Sequence, residues 1–443
     1  MRLPVILIFD VGKTNKKVLV FDEQYKLLHE ESVQLDEIKD GDGFPCEDVD
    51  ALTKWVQQKF SETVLKNDIE VKGVNFSAYG ASFVHLDENL NIATPLYNYL
   101  KPYPEDLRRQ FYDRNGGEDQ FARVTASPVL GSLNSGMQLY RLKCEQPGVY
   151  EKIKYSLHLP QYLSFILTRT VSTDISSVGC HTNLWDFTKN QYHEWVQKEG
   201  VYKKFAPLYN GDKIIGGTGD KNEIPVGIGL HDSSAALIPY LSSVNAPLAL
   251  ISTGTWCISL NPFNHTELTT EELRQDCLCY LSYEGRPVKA SRLFAGYEHE
   301  HEVKKMAAYF HKADDYYKTV EVDAHQVAPG DISFSNSVLS EFNDYEEAYH
   351  HLVRDIVNQQ IRSTNLVLKG TLVKKIFVDG GFAKNKIYMT MLANAFPGLE
   401  IYAATVSQAS ALGAALAIHK KWNNKSLPTD IIELKRFSNG SSA

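Results

Sequence analysis

The chain has 443 residues, 43% of them hydrophobic and 23% charged, which is too long for one ordinary core and suits two or three domains, two large ones being the simplest division. Its formal net charge of −8, with no long Lys/Arg block, argues against nucleic acid or an anionic membrane as partner, and no apolar run reaches the roughly 18 residues of a membrane-spanning helix. The opening MRLPVILIFD meets an aspartate too early for a signal peptide, so a cytoplasmic protein is expected.

Six cysteines, at 46, 144, 180, 257, 277 and 279, are scattered without a repeated CxxC spacing and read as reduced, structural thiols. In chain order, the apolar runs 5–9 (VILIF) and 18–21 (VLVF) flank a polar turn and predict a β-hairpin. A helix is expected near 47–65, strand-like VNFSAYGASFVHLDE follows at 74–88, and helical spacing returns near 135–145 and 158–168.

The segment 224–241, IPVGIGLHDSSAALIPYL, reads as a strand, a His-Asp-Ser-Ser junction and a small-residue helix. Pro239 and Pro247 bracket a plausible crossover, which puts a domain boundary between 1–243 and 244–443. A second hairpin, LALISTGTWCISL at 248–260, repeats the first with Thr253-Gly254-Thr255 at its turn. Next come a long helix over 345–368, the strand KKIFVD, a Gly-Gly turn, helical KIYMTMLANAF, and a helix of small residues over 406–418 that can approach a neighbouring backbone closely. The tail after about 424, ending in SNGSSA, is expected to fray. Alternation of strands and helices predicts a layered α/β fold.

Several turns carry residues suited to chemistry. Asp10 ends the first strand, Gly12 permits an unusual backbone angle, and Lys13, Thr14, Asn15, Lys16 and Lys17 supply donors, so the turn can surround a phosphate while the carboxylate serves a hard cation such as Mg2+. The plain alternative is a hairpin tip with solvated lysines. Asp232 stands at a strand end before a helix, where it either caps that helix or acts as general base on a substrate hydroxyl. Gly380-Gly381, with Asn385 at the next helix start, either admits a planar or phosphate group or is simply a turn.

Two further motifs read as structural. YEHEHEVKK at 297–305 alternates histidine with glutamate, but i and i+2 residues diverge on a helix, which argues against a metal site. IIGGTGDKN at 214–222 lacks the lysine of a Walker loop at the required place.

Taken in order, the Asp-Gly hairpin, the His-Asp strand end, the Gly-Thr hairpin and the Gly-Gly-x-x-x-Asn turn resemble the FGGY carbohydrate kinases, of the sugar kinase/actin/Hsp70 superfamily. The likeness extends to 80–102 and 159–187. It implies an α/β fold of two actin-like (ribonuclease H-like) domains with a central cleft, the first binding mainly sugar and the second mainly ATP. It further implies Asp232 as catalytic base, with Asp10 and Asp232 beside Mg2+. Thr14, Asn15 and Lys17, together with Gly12 and Lys13, would form the first phosphate turn, Gly254 and Thr255 the second, and Gly380, Gly381 and Asn385 the adenosine motif. Gly80, Ala81, Ser82, Phe83, His231 and Asp232 would contact the sugar.

Lys13, Asp379 and Gln408 depart from the usual family residues at their positions, and Leu293 stands near where rhamnulokinases tend to place a polar sugar contact. His231 and STGTWCISL look most like the rhamnulose and fuculose kinase branches, so the expected substrates are ATP and a ketose, a 6-deoxy ketose phosphorylated at its primary hydroxyl, with the protein a monomer or homodimer. A xylulose or polyol kinase, a catalytically silent sugar sensor and an actin-like ATPase are the alternatives.

Overall fold

The computed structural model describes residues 2–219, 223–327, 334, 337–406 and 408–438. The first half opens with β1 (Leu3–Val11), β2 (Lys16–Asp22) and β3 (Leu27–Val33), followed by α1 (Val49–Val64), β4 (Ile69–Ala78) and β5 (Phe83–Leu86). After an inserted helical region come α2 (Ser135–Glu145), β6 (Tyr155–His158), α3 (Leu159–Thr168), β7 (Ile214–Gly217), β8 (Pro225–Gly227), β9 (Leu230–His231) and α4 (Asp232–Ser243).

The second half contains β10 (Leu248–Thr253), β11 (Cys257–Asn261), β12 (Cys277–Leu281), β13 (Pro287–Leu293), α5 (Ala295–Tyr309) and α6 (Tyr345–Leu368). It closes with β14 (Lys375–Gly380), α7 (Lys386–Ala395), β15 (Glu400–Thr405), α8 (Ala409–Ala417) and β16 (Glu433–Phe437).

Two seven-stranded sheets result, ordered β7-β8-β4-β1-β2-β3, with β9 also against β4, and β12-β13-β11-β10-β14-β15-β16. Each is built on the same unit. β1 pairs antiparallel with β2 and parallel with β4, just as β10 pairs antiparallel with β11 and parallel with β14. The repeated hairpin noted in the sequence is therefore a repeated sheet nucleus.

Continuous apolar runs form β1 because both of its faces are covered, as buried parallel strands require. Val5, Leu7, Phe9 and Val11 enter an outer core with α1 and α3, while Ile6 and Ile8 enter a middle core. That middle core holds α4 and α8 between the two sheets, and α5, α6 and α7 cover the far face of the second sheet. Asp10 shares the parity of Ile6 and Ile8 and so faces the middle layer, where the halves meet.

The two middle helices cross closely because small residues line the contact. A Cβ on Gly413 would lie 1.8 Å from the carbonyl oxygen of Ala235, so only glycine fits, as the small-residue pattern of α8 anticipates. Asn75 on β4 adds a 2.8 Å hydrogen bond to the Ala414 carbonyl.

Several expectations need correction. Residues 74–88 form two strands, broken at Tyr79–Ser82, where Ala81 takes φ 63°; β5 leaves the main sheet and pairs with β6. Pro239 lies inside α4 and does not start a crossover, since its ring is accommodated one turn from the helix end. The tail is not frayed throughout, because β16 pairs antiparallel with β15. Residues 220–222 of the glycine loop, Ser407 and the terminal 439–443 lie outside the described residues.

Five of the cysteines are buried and Cys144 is exposed, with no disulfide. No helix among the described residues is long and apolar enough to cross a membrane.

Candidate active site

The first hairpin turn spans Gly12–Asn15 and is closed by the Gly12 N–H donating to the Asn15 carbonyl at 2.9 Å. Gly12 does not adopt the left-handed backbone expected of it; space is the constraint, since a Cβ would meet that same carbonyl at 3.2 Å. Thr14 and Asn15 stand exposed at the tip.

The lysines of this turn are already engaged. Lys13 Nζ donates to Glu37 at 2.7 Å and lies 3.6 Å from Glu47. Lys16 is buried against Glu47, and its ammonium also donates to the Lys13 carbonyl at 2.9 Å. Lys17 Nζ donates to Gln408 Oε1 at 2.9 Å and pairs with Glu30 at 3.1 Å. Gln408 donates back to Glu30 at 3.0 Å, completing a three-residue clasp between the halves. Lys17 is thus engaged with Gln408 and Glu30, whereas the Thr14 side chain at the tip stands open.

Asp10 lies near the end of β1 and Asp232 directly follows β9, and both strands pair in parallel with β4 of the first sheet. Burial raises the Asp10 carboxyl to about 6; the Ser410 hydroxyl, donating to Oδ2 at 2.8 Å, pulls it down, and the charge of Asp232 pushes it up again. Asp232 is the first residue of α4, not its cap; His231 occupies the cap position, and no side chain caps the helix.

Asp232 Oδ1 accepts the Ser233 N–H at 2.6 Å and its hydroxyl at 3.3 Å, and Oδ2 has no partner among the described residues. Its side chain is 37% exposed, yet desolvation still raises its carboxyl to about 6 against the pull of the Ser233 bonds. A carboxylate with one free oxygen and an elevated proton affinity is equipped to accept a proton from a hydroxyl.

His231 packs beneath this carboxylate, with Nε2 at 3.2 Å from Asp232 Oδ1 and 2.9 Å from Cys180 Sγ. Burial lowers its pKa to about 4, so the ring is neutral near pH 7. Gly80 is packed against the same ring: a Cβ there would lie 2.9 Å from His231 Cδ2 and 3.2 Å from Cys180 Sγ. The Ala81 carbonyl accepts from Gln138 at 2.7 Å, and Ser82 Oγ is buried without a partner among the described residues. Phe83, in contrast, is core, its ring 4.1 Å from that of His158.

The second hairpin and the Gly-Gly turn form one structure. Thr253 pairs with Gly380, its hydroxyl donates to the Asp379 carbonyl at 2.5 Å, and its carbonyl accepts the Gly381 N–H at 3.1 Å. Gly380 adopts φ +90°, and a Cβ would fall 1.9 Å from the Thr253 carbonyl, so both angle and space demand glycine. Gly254 and Thr255 lie in the hairpin turn against the start of α5, where the Tyr297 N–H donates to the Thr255 carbonyl at 3.1 Å.

Asn385 caps α7 by accepting from the Ile387 and Tyr388 N–H groups, and it donates to the Tyr349 hydroxyl at 2.8 Å. Leu293 packs into the outer core of the second half. The histidines of YEHEHEVKK diverge as their spacing requires: His299 bonds the Tyr349 hydroxyl at 3.0 Å, and the His301 ring lies 3.8 Å from that of Tyr297.

Sequence reading gave no site role to Ser410, Cys180 or Thr253. Ser410 could have been suspected as one of the few hydroxyls on an otherwise aliphatic helix; Cys180 gives no motif, and only the fold brings it to His231.

Among the described residues no group of three or more His, Cys, Asp or Glu is arranged to hold a metal. Two hard carboxylates without a protein cage suit Mg2+, which usually retains waters and takes its remaining ligands from phosphates. Asp10 and Asp232 fit that role.

Residues 5–239 match the N-terminal domain of the FGGY family of carbohydrate kinases and residues 245–426 its C-terminal domain. The chain belongs to this family. An L-fuculokinase from Haemophilus influenzae is 21% identical over 94% of each chain. A rhamnulokinase from Oceanobacillus iheyensis is 22% identical over 60% of this chain, which spans 57% of that protein's length.

Among solved structures, a carbohydrate kinase from Novosphingobium aromaticivorans superposes with a TM-score of 0.79 at 23% identity, covering 98% of this chain and 97% of that one. A xylulose kinase from Lactobacillus acidophilus gives 0.81 at 15% identity over 99% and 94%. The fold is the two-domain sugar-kinase, actin-like fold.

Proposed function

We propose that the protein transfers the γ-phosphoryl group of Mg-ATP to a primary hydroxyl of a ketose, a 6-deoxy ketose such as L-rhamnulose or L-fuculose, with the domains divided between residues 243 and 244. The observation that carries this reading is the free Oδ2 of Asp232, on a carboxyl raised to about 6, within electrostatic reach of Asp10. Full-length likeness to an L-fuculokinase favours the 6-deoxy ketose.

Asp232 accepts the proton of the attacking hydroxyl as the oxygen closes on phosphorus, and neutral His231 holds the carboxylate and its sugar in register. Gly80, Ala81 and Ser82 border the sugar, and Ser82 Oγ finds in it the partner it otherwise lacks. The Gly12–Asn15 and Gly254–Thr255 turns bracket the phosphates, with Gly380, Gly381 and Asn385 beside the nucleoside. Mg2+, held by Asp10 and Asp232, supplies neutralisation of phosphate charge. Phosphoryl transfer needs positioning and charge compensation more than covalent chemistry, so this set is sufficient. Closure of the halves excludes water and suppresses hydrolysis of ATP. The protein acts in the cytoplasm as a monomer or homodimer.

A xylulose kinase is the second reading, supported by the overlap with the Lactobacillus structure. The test is ADP release with Mg-ATP across L-rhamnulose, L-fuculose, D- and L-xylulose, D-ribulose and glycerol, with a no-sugar control. Strong stimulation by a 6-deoxy ketose supports the proposal, and a xylulose preference moves it to the second reading. ADP release independent of sugar points to an actin-like ATPase; silence throughout removes these substrates and leaves a different sugar or a sensor.

A further inference from the structure

Strand β13 sorts its side chains by parity. Val288 and Ala290 enter the middle core together with Leu278 and Tyr280 of the adjacent β12, whereas the Ser291 hydroxyl donates to the Ser363 carbonyl of α6 and Leu293 packs into the outer core. Arg292 shares the parity of Val288 and Ala290, so it faces the first half while its neighbour Leu293 faces away.

The guanidinium is held in place. Nε and Nη2 donate to Asp276 Oδ1 at 3.2 and 2.6 Å, and the group lies 5.3 Å from the ring of Trp256 at the tip of the second hairpin. Nη1 has no partner among the described residues, although the side chain is only 11% exposed. On the same face, the Tyr280 ring lies 5.9 Å from that of His231 and 6.1 Å from that of His181. Cys180, which touches His231, feels the charge of Arg292. Arg292 thus stands between Trp256 at the hairpin tip of the second half and the Cys180–His181 segment of the first, which touches His231 through Cys180, with Nη1 unpaired among the described residues.

We propose that Arg292 determines sugar specificity, its Nη1 donating to a hydroxyl oxygen of the sugar away from the hydroxyl that Asp232 deprotonates. This rests on the sugar-kinase reading. Pairing with Asp276 offsets the guanidinium's charge, which suits a neutral sugar over a sugar acid. A guanidinium fixed by Asp276 and Trp256, with one amino group open, favours a substrate that places an oxygen opposite it.

The test compares wild type with Arg292→Gln and Arg292→Lys, measuring sugar Kd by calorimetry, KM for sugar and for ATP, kcat, and thermal melting. Arg292→Gln is expected to raise sugar Kd and KM by roughly tenfold to a hundredfold, the usual range for a hydrogen bond from a charged group. KM for ATP should stay within about twofold, and Arg292→Lys should recover only part of the loss, because an ammonium lacks the planar fork. An unchanged sugar Kd in Arg292→Gln overturns the inference, as does a fall in kcat alone, which would assign the group to the transferring phosphoryl.

Should Arg292→Gln fail to fold, Asp276→Asn keeps the guanidinium but loosens it. A severalfold weaker sugar Kd at unchanged ATP KM is then expected, and an unchanged Kd overturns the inference. A wild type that phosphorylates a sugar while Arg292→Gln behaves identically refutes this inference alone; a wild type that neither binds nor phosphorylates any sugar refutes the kinase reading with it.

Discussion

The hydroxyl of Ser410, in the first turn of α8, donates to Asp10 Oδ2 at 2.8 Å across 400 residues of sequence. It ties the carboxylate of the first strand to the last long helix of the middle layer, so the charge state of Asp10 depends on how the two halves meet. Ser410→Ala removes a bond that lowers the Asp10 pKa, and its carboxyl should rise beyond about 6. Half-maximal turnover should then need roughly threefold to tenfold more Mg2+, as loss of about 1 kcal/mol implies. Asp10→Ala should weaken Mg-ATP use further. A Mg2+ titration of turnover for both variants checks this, and an unchanged Mg2+ dependence in Asp10→Ala refutes the metal assignment.

Asp232→Asn keeps the size and the Ser233 contacts of the side chain but cannot take a proton. Turnover should fall by roughly a hundredfold or more, as loss of a general base implies, while nucleotide binding and the melting temperature are retained. Near-normal turnover would remove Asp232 from that role.

Both carboxyls are raised to about 6 from an ordinary value of 3.8, so the acid limb of activity should lie near pH 6, not pH 4. Since the base must be ionised, kcat/KM should drop by about tenfold per pH unit below that limb, and more steeply where Asp10 must also ionise. The sign for stability is the reverse of the usual carboxylate case. The folded state holds these protons more tightly than the unfolded chain, so the stabilisation is full below about pH 3.8 and is lost as pH rises through about 6. Ser233→Ala removes a bond that lowers the Asp232 pKa and should move the limb to higher pH. A pH–rate profile that stays level down to pH 4.5 would contradict the assignment.

Gly413→Ala inserts a methyl group where the Ala235 carbonyl leaves no room. The helices must separate, at a cost of roughly 1–3 kcal/mol for an overpacked core. Thermal denaturation should show a clear fall in melting temperature. Lys304→Ala on the exposed face of α5 should not produce it, and equal melting would mean that the crossing relaxes freely.

Much of the architecture is local in origin. VILIF and VLVF around a polar turn, and LALIST and CISLN around another, specify hairpins because β-branched and aromatic runs bounded by turn residues have few alternatives. The helix at 345–368 matches its expected bounds, its apolar spacing fixing one buried face. Gly380 and Gly413 were legible as glycines, and packing supplies the reason for each.

The state of the polar residues was not legible. Lys13, Lys16 and Lys17 look alike in sequence, and their partners Glu37, Glu47, Glu30 and Gln408 are brought to them from positions as far as 391 residues away. The same holds for Asp232. Its residue type and its neighbour His231 are local facts, whereas its free oxygen and its raised proton affinity come from the protein packed around it.

Sequence by itself determined the two hairpins, the helix over 345–368 and the residue types at the turns, because those depend on side-chain periodicity and backbone permissiveness within a few residues. Tertiary structure alone decided that Asp10 meets Ser410, that His231 meets Cys180, and that Arg292 rather than Leu293 faces the first half, because charge, desolvation and strand parity act between segments that only the folded chain brings together.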